Sequence, residues 1–207
     1  MSKIIAIMLL LCCGMMLFGC ADDNGRRKAE QQKTIVVTDS VGRKVELPYP
    51  LERVAVCNVY NAELITAVGA IDKIVGVDNY IFKDQSGFKN RFNEAQVFGI
   101  SQNAMNYEKL AELAPQAVII TGEGTWRDAQ EMLDRFGIKV IVINSYYTDQ
   151  FADNCRLIGR IFGREEQAEE LVNYFNDKLA YIQKQLQGVP RRSLYFEYRT
   201  LGKTAVP

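Results

Sequence analysis

The feature that most constrains the fold is an alternation of short apolar runs with amphipathic helical segments between residues 53 and 143. Four of the apolar runs are typical of buried β-strands, and in the segments between them the apolar residues recur at helical spacing. Strands that alternate with helices form a parallel sheet covered on both faces. We therefore predict an α/β fold, a three-layer lobe built on an open parallel sheet, with strands at residues 53–57, 73–77, 117–121 and 139–143.

Shorter signals surround this alternation. Two β-type runs, residues 34–38 and 44–47, flank the turn residues Ser40-Val41-Gly42-Arg43 and predict a β-hairpin. Residues 86–93 are compatible with either a short helix or a loop. Apolar spacing and stop residues such as Gly69 and Pro115 predict helices at residues 61–68, 106–114, 125–136 and 149–162.

A longer helix is predicted from Glu165 to Leu186, with an apolar stripe on one side and charges on the other. At ~1.5 Å per residue it is about 30 Å long, the width of a small domain. A strand predicted at residues 193–198 follows it and has no successor. We interpret this as a crossing into a second lobe of which the sequence carries only the start.

The N-terminus resembles a bacterial lipoprotein signal. Lys3 precedes an uncharged run from Ile4 to Phe18, which is short for a membrane-spanning helix. The run ends in Leu17-Phe18-Gly19-Cys20, which resembles the lipobox, where the cysteine sulfur receives a lipid. We predict lipid attachment at Cys20 and an extracytoplasmic location, in the periplasm or on the outer face of the cell membrane; an uncleaved N-terminal anchor is the alternative.

These signals predict five segments along the chain. Residues 1–19 are the signal peptide, and the polar, charged residues 20–33 are a flexible tether. The remaining three are an N-terminal α/β lobe (34–163), a connecting helix (164–188) and the start of a truncated C-terminal lobe (189–207).

Charge and side-chain chemistry exclude several classes of function. The chain has 25 basic and 25 acidic residues, and removal of residues 1–19 takes away only Lys3, which leaves 24 against 25. A near-neutral chain without a dense basic run argues against nucleic acid as a partner. The chain contains no histidine, so zinc sites with histidine ligands and Ser-His-Asp triads are excluded. After the signal and Cys20, only Cys57 and Cys155 remain, and whether they pair stays open.

Ligands of open parallel sheets bind outside the carboxyl ends of the strands, and this rule selects the candidate site. The residues that follow the predicted strands are rich in tyrosine and amide side chains, which offer flat contact area and hydrogen bonds at its edge. Gly122 and Gly124 stand at a helix start, where they serve either a tight turn or, less favourably, an anion site. We predict ligand contacts from Asn58, Tyr60, Asn61, Tyr80, Gln102, Asn103, Glu123, Trp126, Tyr146 and Tyr147.

Three stretches carry a resemblance to a known family. Thr38 to Pro48 followed by Arg53-Val54, Tyr107 to Ile120 with its helix-Pro-strand order, and Phe136 to Val140 resemble the iron-siderophore and cobalamin binding proteins of ABC importers. The resemblance covers residues 34–207, although Gln116 stands where the family often has Asp. It implies two α/β lobes joined by one long helix, with the ligand between them, in a monomer.

The resemblance also implies partners. An iron-siderophore, a corrinoid or a similar metal chelate would be the ligand, and the transmembrane subunits of an ABC permease would receive it. Glu108 stands where the family's N-terminal lobe has a glutamate that docks onto permease arginines. A glutamate in a first helical turn also complements the helix dipole, so both roles stay open at this residue.

Two alternatives to a binding protein remain. An extracytoplasmic α/β enzyme of the hydrolase type would need a nucleophile and a base, yet the sequence has neither a Gly-x-Ser-x-Gly elbow nor a histidine. We therefore expect no catalytic residue, no protein metal site and no cofactor. The other alternative is a fragment that binds nothing tightly because half of the cleft is missing.

Overall fold

The computed structural model describes residues 33–193, and its centre is a four-stranded parallel sheet. Almost every residue of these strands is buried, because helices cover both faces of the sheet. The spatial order is β4-β3-β5-β6, where the strands are β3 (Val54–Val56), β4 (Ile74–Val77), β5 (Ala117–Ile120) and β6 (Lys139–Val142). The predicted parallel sheet is confirmed, with each strand trimmed by one or two residues.

Successive strand residues face opposite sides of the sheet and divide the core in two. Val54 and Val56 pack with helices α1 (Val59–Ala67) and α5 (Phe151–Phe162), while Ala55 packs on the other side. The second side is covered by α3 (Tyr107–Leu113) and α4 (Trp126–Asp134). The described lobe is therefore the three-layer α/β sandwich that the alternation predicts.

Among residues 33–193, one α-helix was not predicted. Residues Asn79–Lys83 form α2, which begins where the Asp78 carboxylate accepts a hydrogen bond from the backbone N–H of Ile81. Five residues are too few to show helical periodicity, so the cap alone signals this helix. Residues 86–93 form turns and a loop rather than a helix.

The predicted hairpin is present and packs beside the sheet. Strands β1 (Thr34–Thr38) and β2 (Lys44–Pro48) pair in antiparallel fashion. The turn between them reaches the end of β6, where the backbone N–H of Ser40 donates to the carbonyl of Val142 at 2.9 Å. The hairpin is thereby fastened to the open edge of the parallel sheet.

The long helix α6 (Glu165–Gln185) follows α5 after a sharp corner. Gly163 has φ +64° at this corner, and an added Cβ at Gly159 would lie 2.4 Å from the Cβ of Ala168, so α5 and α6 touch closely. The stripe predicted for α6 is only partly covered. Leu179, Ile182 and Leu186 are 42%, 50% and 57% exposed, because the lobe reaches only the first half of the helix.

The two cysteines of the lobe are both free and buried. Cys57 belongs to the core on the α3 and α4 side, and Cys155 to the core on the α1 and α5 side, so the sheet separates them. Burial raises the pKa of the Cys57 thiol well above its usual value. Both behave as small apolar core residues.

Some predictions concern residues outside the described range. Cys20, the signal peptide and nearly all of the tether precede residue 33, and the strand predicted at 193–198 extends past residue 193. Within residues 33–193, none of the helices is both long enough and apolar enough to cross a membrane.

Candidate functional site

The strand order places a cleft at one end of the sheet. From β3 the chain passes to β4 on one side and then crosses to β5 on the other, so the connections diverge between β3 and β5. Such a switch point leaves a crevice outside the carboxyl ends of the strands. A cavity of about 690 Å³ lies there, within the size range of sites for small molecules.

Six of the ten predicted contact residues line this cavity. They come from the segments after β3, β4 and β5 and from the loop before α3, and they are Asn58, Tyr60, Tyr80, Gln102, Asn103 and Glu123. The structure adds Val59, Glu63, Asp78, Ser101 and Thr121. Glu63 was missed because α1 begins two residues earlier than predicted, and three-residue spacing then places it on the same helix face as Tyr60.

Asn58 has an unusual backbone at the floor of the cavity. Its φ is +77°, a conformation that side chains other than glycine rarely adopt. Two hydrogen bonds hold it there: its backbone N–H donates to the Asp78 carboxylate at 3.0 Å, and its side-chain oxygen accepts from the N–H of Tyr60 at 2.9 Å. Strained backbone of this kind is concentrated at functional sites.

Asp78 joins the ends of β3 and β4. Its two carboxylate oxygens accept hydrogen bonds from the backbone N–H groups of Asn58 and Ile81, at 3.0 and 2.9 Å. Burial raises the pKa of this carboxyl, and the backbone hydrogen bonds oppose that shift. The side chain therefore positions the first turns of α1 and α2.

Gln102 ties the loop before α3 to the end of β5. Its side-chain oxygen accepts from the backbone N–H and the hydroxyl of Thr121, at 3.0 and 2.7 Å. Its amide nitrogen donates to the backbone carbonyl of Glu123. With these groups occupied, Gln102 shapes the wall of the cavity more than it offers free hydrogen bonds to a ligand.

Glu123 connects the cavity to Tyr146 and Tyr147, two of the predicted contact residues. The Tyr146 hydroxyl donates to the Glu123 carboxylate at 3.1 Å, and the two tyrosine rings lie 4.3 Å apart between centroids. The pKa of the Tyr146 hydroxyl is raised mainly by burial, and Tyr147 and Glu123 raise it further. Neither Tyr146 nor Tyr147 lines the cavity; Tyr146 is connected to it by its hydrogen bond to Glu123, which does.

The loop that carries Glu123 is supported from the hairpin. The Asn144 side chain accepts from the N–H of Gly122 at 2.7 Å, and the N–H of Asn144 donates to the Ser40 hydroxyl at 3.2 Å. Gly124 has φ +81°, and a Cβ there would lie 2.3 Å from the Asn103 side-chain oxygen. Gly124 therefore serves the tight turn that the sequence predicts, because both its φ and its close contact exclude a side chain there.

Besides Tyr146 and Tyr147, two further predicted contact residues do not line the cavity. Asn61 is fully buried and donates to the carbonyl of Cys57 at 3.2 Å, while its oxygen accepts from Ser145 at 2.6 Å. Trp126 is 9% exposed, and the guanidinium groups of Arg43 and Arg127 lie 4.3 and 4.2 Å from its ring centroid. The structure does not bring either side chain to the cavity.

Glu108 is on a different surface element. It is exposed in the first turn of α3, which Asn106 caps by accepting from the N–H of Lys109 at 2.9 Å. Among the described side chains, no group of three or more Cys, Asp or Glu residues is placed to hold a metal ion.

Comparisons with other proteins agree with this fold. The sequence profile of the family described as periplasmic binding protein matches residues 54–203. No curated protein sequence matches the chain.

Three solved structures illustrate the likeness. A periplasmic solute binding protein from Veillonella parvula is 27% identical, with a TM-score of 0.63 over 76% of this chain and 50% of that chain. Staphylococcus aureus SirA complexed with staphyloferrin B is 20% identical (TM-score 0.61, 74% and 51%), and the vitamin B12 binding protein BtuF of Vibrio cholerae is 21% identical (0.55, 68% and 53%). The chain thus spans about half the length of the structures it matches.

Proposed function

Because the chain belongs to the periplasmic binding protein family, we propose that it is the substrate-binding component of an ABC importer. Proteins of this family work outside the cytoplasm. The observation that carries the proposal is the cavity at the switch point of the sheet, with exposed tyrosines and amides around it. Its work is selective capture and release rather than catalysis, and an ABC permease receives the ligand.

The ligand that suits this surface is a metal chelate, an iron-siderophore or a corrinoid. Tyr60 and Tyr80 are 54% and 63% exposed at the cavity, which leaves their rings free to cover a flat, partly apolar molecule. Amide side chains such as Asn103 supply hydrogen bonds at the rim. Two of the similar proteins are described with ligands of these kinds, SirA with staphyloferrin B and BtuF with vitamin B12.

Removal of the two tyrosine rings is expected to weaken chelate binding. Each aromatic contact contributes about 0.5–1.5 kcal/mol beyond its buried area. Tyr60→Ala and Tyr80→Ala should each raise Kd roughly tenfold, which corresponds to about 1.4 kcal/mol. Isothermal titration of the purified chain with ferric siderophores and cobalamin measures this change.

Tyr181→Ala is the matched control, because Tyr181 is 62% exposed on α6 and lies outside the cavity. Its Kd should equal that of the unaltered chain. If the cavity variants bind the best chelate as tightly as the control does, the cavity is not the ligand site. If no chelate binds the unaltered chain, the proposed function fails.

We also propose that a lipid on Cys20 holds the protein at the membrane. The support is the sequence alone: an uncharged run ending in Leu17-Phe18-Gly19-Cys20. Cys20→Ala should move the protein from the membrane fraction to the soluble extracytoplasmic fraction or leave an unprocessed precursor. Immunoblots of fractionated cells, with Cys57→Ala as the control, report the outcome. Retention of the Cys20 variant in the membrane at its mature size would contradict lipidation.

Glu108 is our candidate for docking onto the permease. It is exposed on α3, and the only support for the role beyond exposure is its place in the family-like stretch from Tyr107 to Ile120. A lipid tether would raise the effective concentration of the protein at its permease, so the docking contacts need little intrinsic affinity.

A further inference from the structure

The charged side chains around the cavity all have the same sign. Glu63, Asp78 and Glu123 line it, and among the described lining residues there is no lysine or arginine. Water is partly displaced from such a cleft when a ligand enters, so interactions between charges inside it are stronger than at an open surface. The side of the cleft that this lobe provides is therefore acidic.

Among the described residues, none of the three carboxylates is neutralised by a protein cation, and only Asp78 is compensated by backbone N–H groups. Asp78 has both oxygens occupied by backbone N–H groups and is buried. Glu63 and Glu123 are exposed, and within residues 33–193 neither forms an ion pair with a lysine or arginine. The hydrogen bond that the Glu123 carboxylate accepts comes from the Tyr146 hydroxyl, a neutral group.

Helix N-termini at the cavity do not reverse this sign. The positive ends of α1 and α2 face the site and favour anions, with about half a unit charge at each helix end. However, the Asn58 side chain already accepts from the N–H of Tyr60 at the start of α1, and Asp78 caps α2. Arg43 and Arg127 lie over the Trp126 ring instead of the cavity.

We infer that this half of the cleft selects neutral or cationic chelates and discriminates against anionic ones through Glu63 and Glu123. The inference rests on the proposed function and narrows its ligand class. A ligand that carries a free carboxylate, or any other group that makes its net charge negative, is repelled by both side chains. A ligand with an ammonium group is attracted, and a neutral one is admitted by the tyrosines and amides.

Linear ferric trihydroxamates test the inference, since their metal centre is neutral and the end group alone sets the charge. We would titrate the 207-residue chain with three of them, ending in an ammonium, an acetamide and a succinate group. The ammonium form is expected to bind about tenfold or more tightly than the succinate form, with the acetamide form between them. The preference should shrink as salt is raised, because both carboxylates are exposed.

The double variant Glu63→Gln/Glu123→Gln keeps the shapes and hydrogen-bonding oxygens but removes both charges. It should reduce the ratio of ammonium to succinate affinity to about threefold or less. Glu131→Gln/Glu170→Gln is the control with the same charge change on α4 and α6. It should keep the ratio of the unaltered chain.

The outcomes separate this inference from the proposed function. Equal affinity for the three chelates, or tighter binding of the succinate form, overturns the charge preference and leaves chelate capture intact. An ammonium preference that survives in the Glu63/Glu123 variant overturns the assignment to these residues. Failure of every trihydroxamate, and of cobalamin as a neutral chelate of another shape, overturns both proposals.

Discussion

Replacement of Asp39 with alanine is expected to lower the free energy of unfolding by about 3 kcal/mol, because it leaves a partly buried arginine without its partner. The Asp39 carboxylate is fully covered and pairs with Arg43 at 2.7 Å. It also accepts hydrogen bonds from the backbone N–H of Arg43 at 2.9 Å and of Val142 at 3.2 Å. One carboxylate thus holds the hairpin turn closed and fastens it to β6.

Urea denaturation followed by far-UV circular dichroism measures this loss. Asp177→Ala, an exposed substitution on α6, serves as the control and should stay within about 0.5 kcal/mol of the unaltered chain. The double variant Asp39→Ala/Arg43→Ala should cost less than the sum of the single variants, since it leaves no unpaired guanidinium. A change below about 1 kcal/mol for Asp39→Ala would show that the hairpin is held by its apolar contacts instead.

The same contact has a consequence for the cavity. Ser40 follows Asp39 and accepts from the N–H of Asn144, whose side chain in turn orients Gly122, next to Glu123. Loss of Asp39 should therefore loosen the loop that carries Glu123 as well as the hairpin. Chelate affinity measured on the folded fraction of the variant would be lowered even where the overall fold persists.

Glu108→Lys is expected to reduce uptake of the ligand at least a hundredfold while its affinity for the purified chain stays unchanged. Under the docking role proposed for Glu108, reversal of the charge would place a lysine against permease arginines, and juxtaposed like charges at an interface cost several kcal/mol. Stability should change little, because a first-turn glutamate contributes only about 0.3–1 kcal/mol through the helix dipole. Glu108 lies outside the cavity, so the ligand is not affected directly.

Two measurements on the same variant decide the role of Glu108. Uptake of radiolabelled chelate is compared between cells that express the importer with the unaltered protein and cells that express it with the Glu108 variant. Titration of each purified chain gives the affinity. Glu131→Lys, an exposed charge reversal on α4, is the control and should transport normally. Normal uptake by Glu108→Lys would leave this residue with only its local effect on the helix.

Much of the candidate site could be predicted because it depends on chain order. Asn58, Tyr60, Tyr80 and Glu123 come directly after strands whose carboxyl ends meet at one edge, so the strand rule alone brings them together. Trp126 belongs to the same loop region, yet its ring turns into the core beneath Arg43, which is 83 residues away in sequence. No pattern in the sequence near either residue predicts the contact between Trp126 and Arg43.

The covered half of α6 illustrates the same limit. The apolar stripe predicts one buried face along the whole helix, but the residues that the lobe buries completely are Ala168 and Val172. These two residues are buried because α5 approaches α6 closely at Gly159, which is a tertiary contact. The stripe farther along, at Leu179 and Ile182, is half exposed.

Local pattern by itself determined the layers, the parallel sheet, the hairpin and the loops that approach the site, because burial periodicity and turn residues are properties of neighbouring residues. Tertiary structure alone decided which side chains near the site are free to contact a ligand. Asn61 of α1 and Gln102 of the loop before α3 are occupied by hydrogen bonds from Ser145 and Thr121, whereas Glu63 of α1 lies at the cavity. Partners such as these come from segments distant in sequence, and only the folded chain brings them within hydrogen-bonding distance.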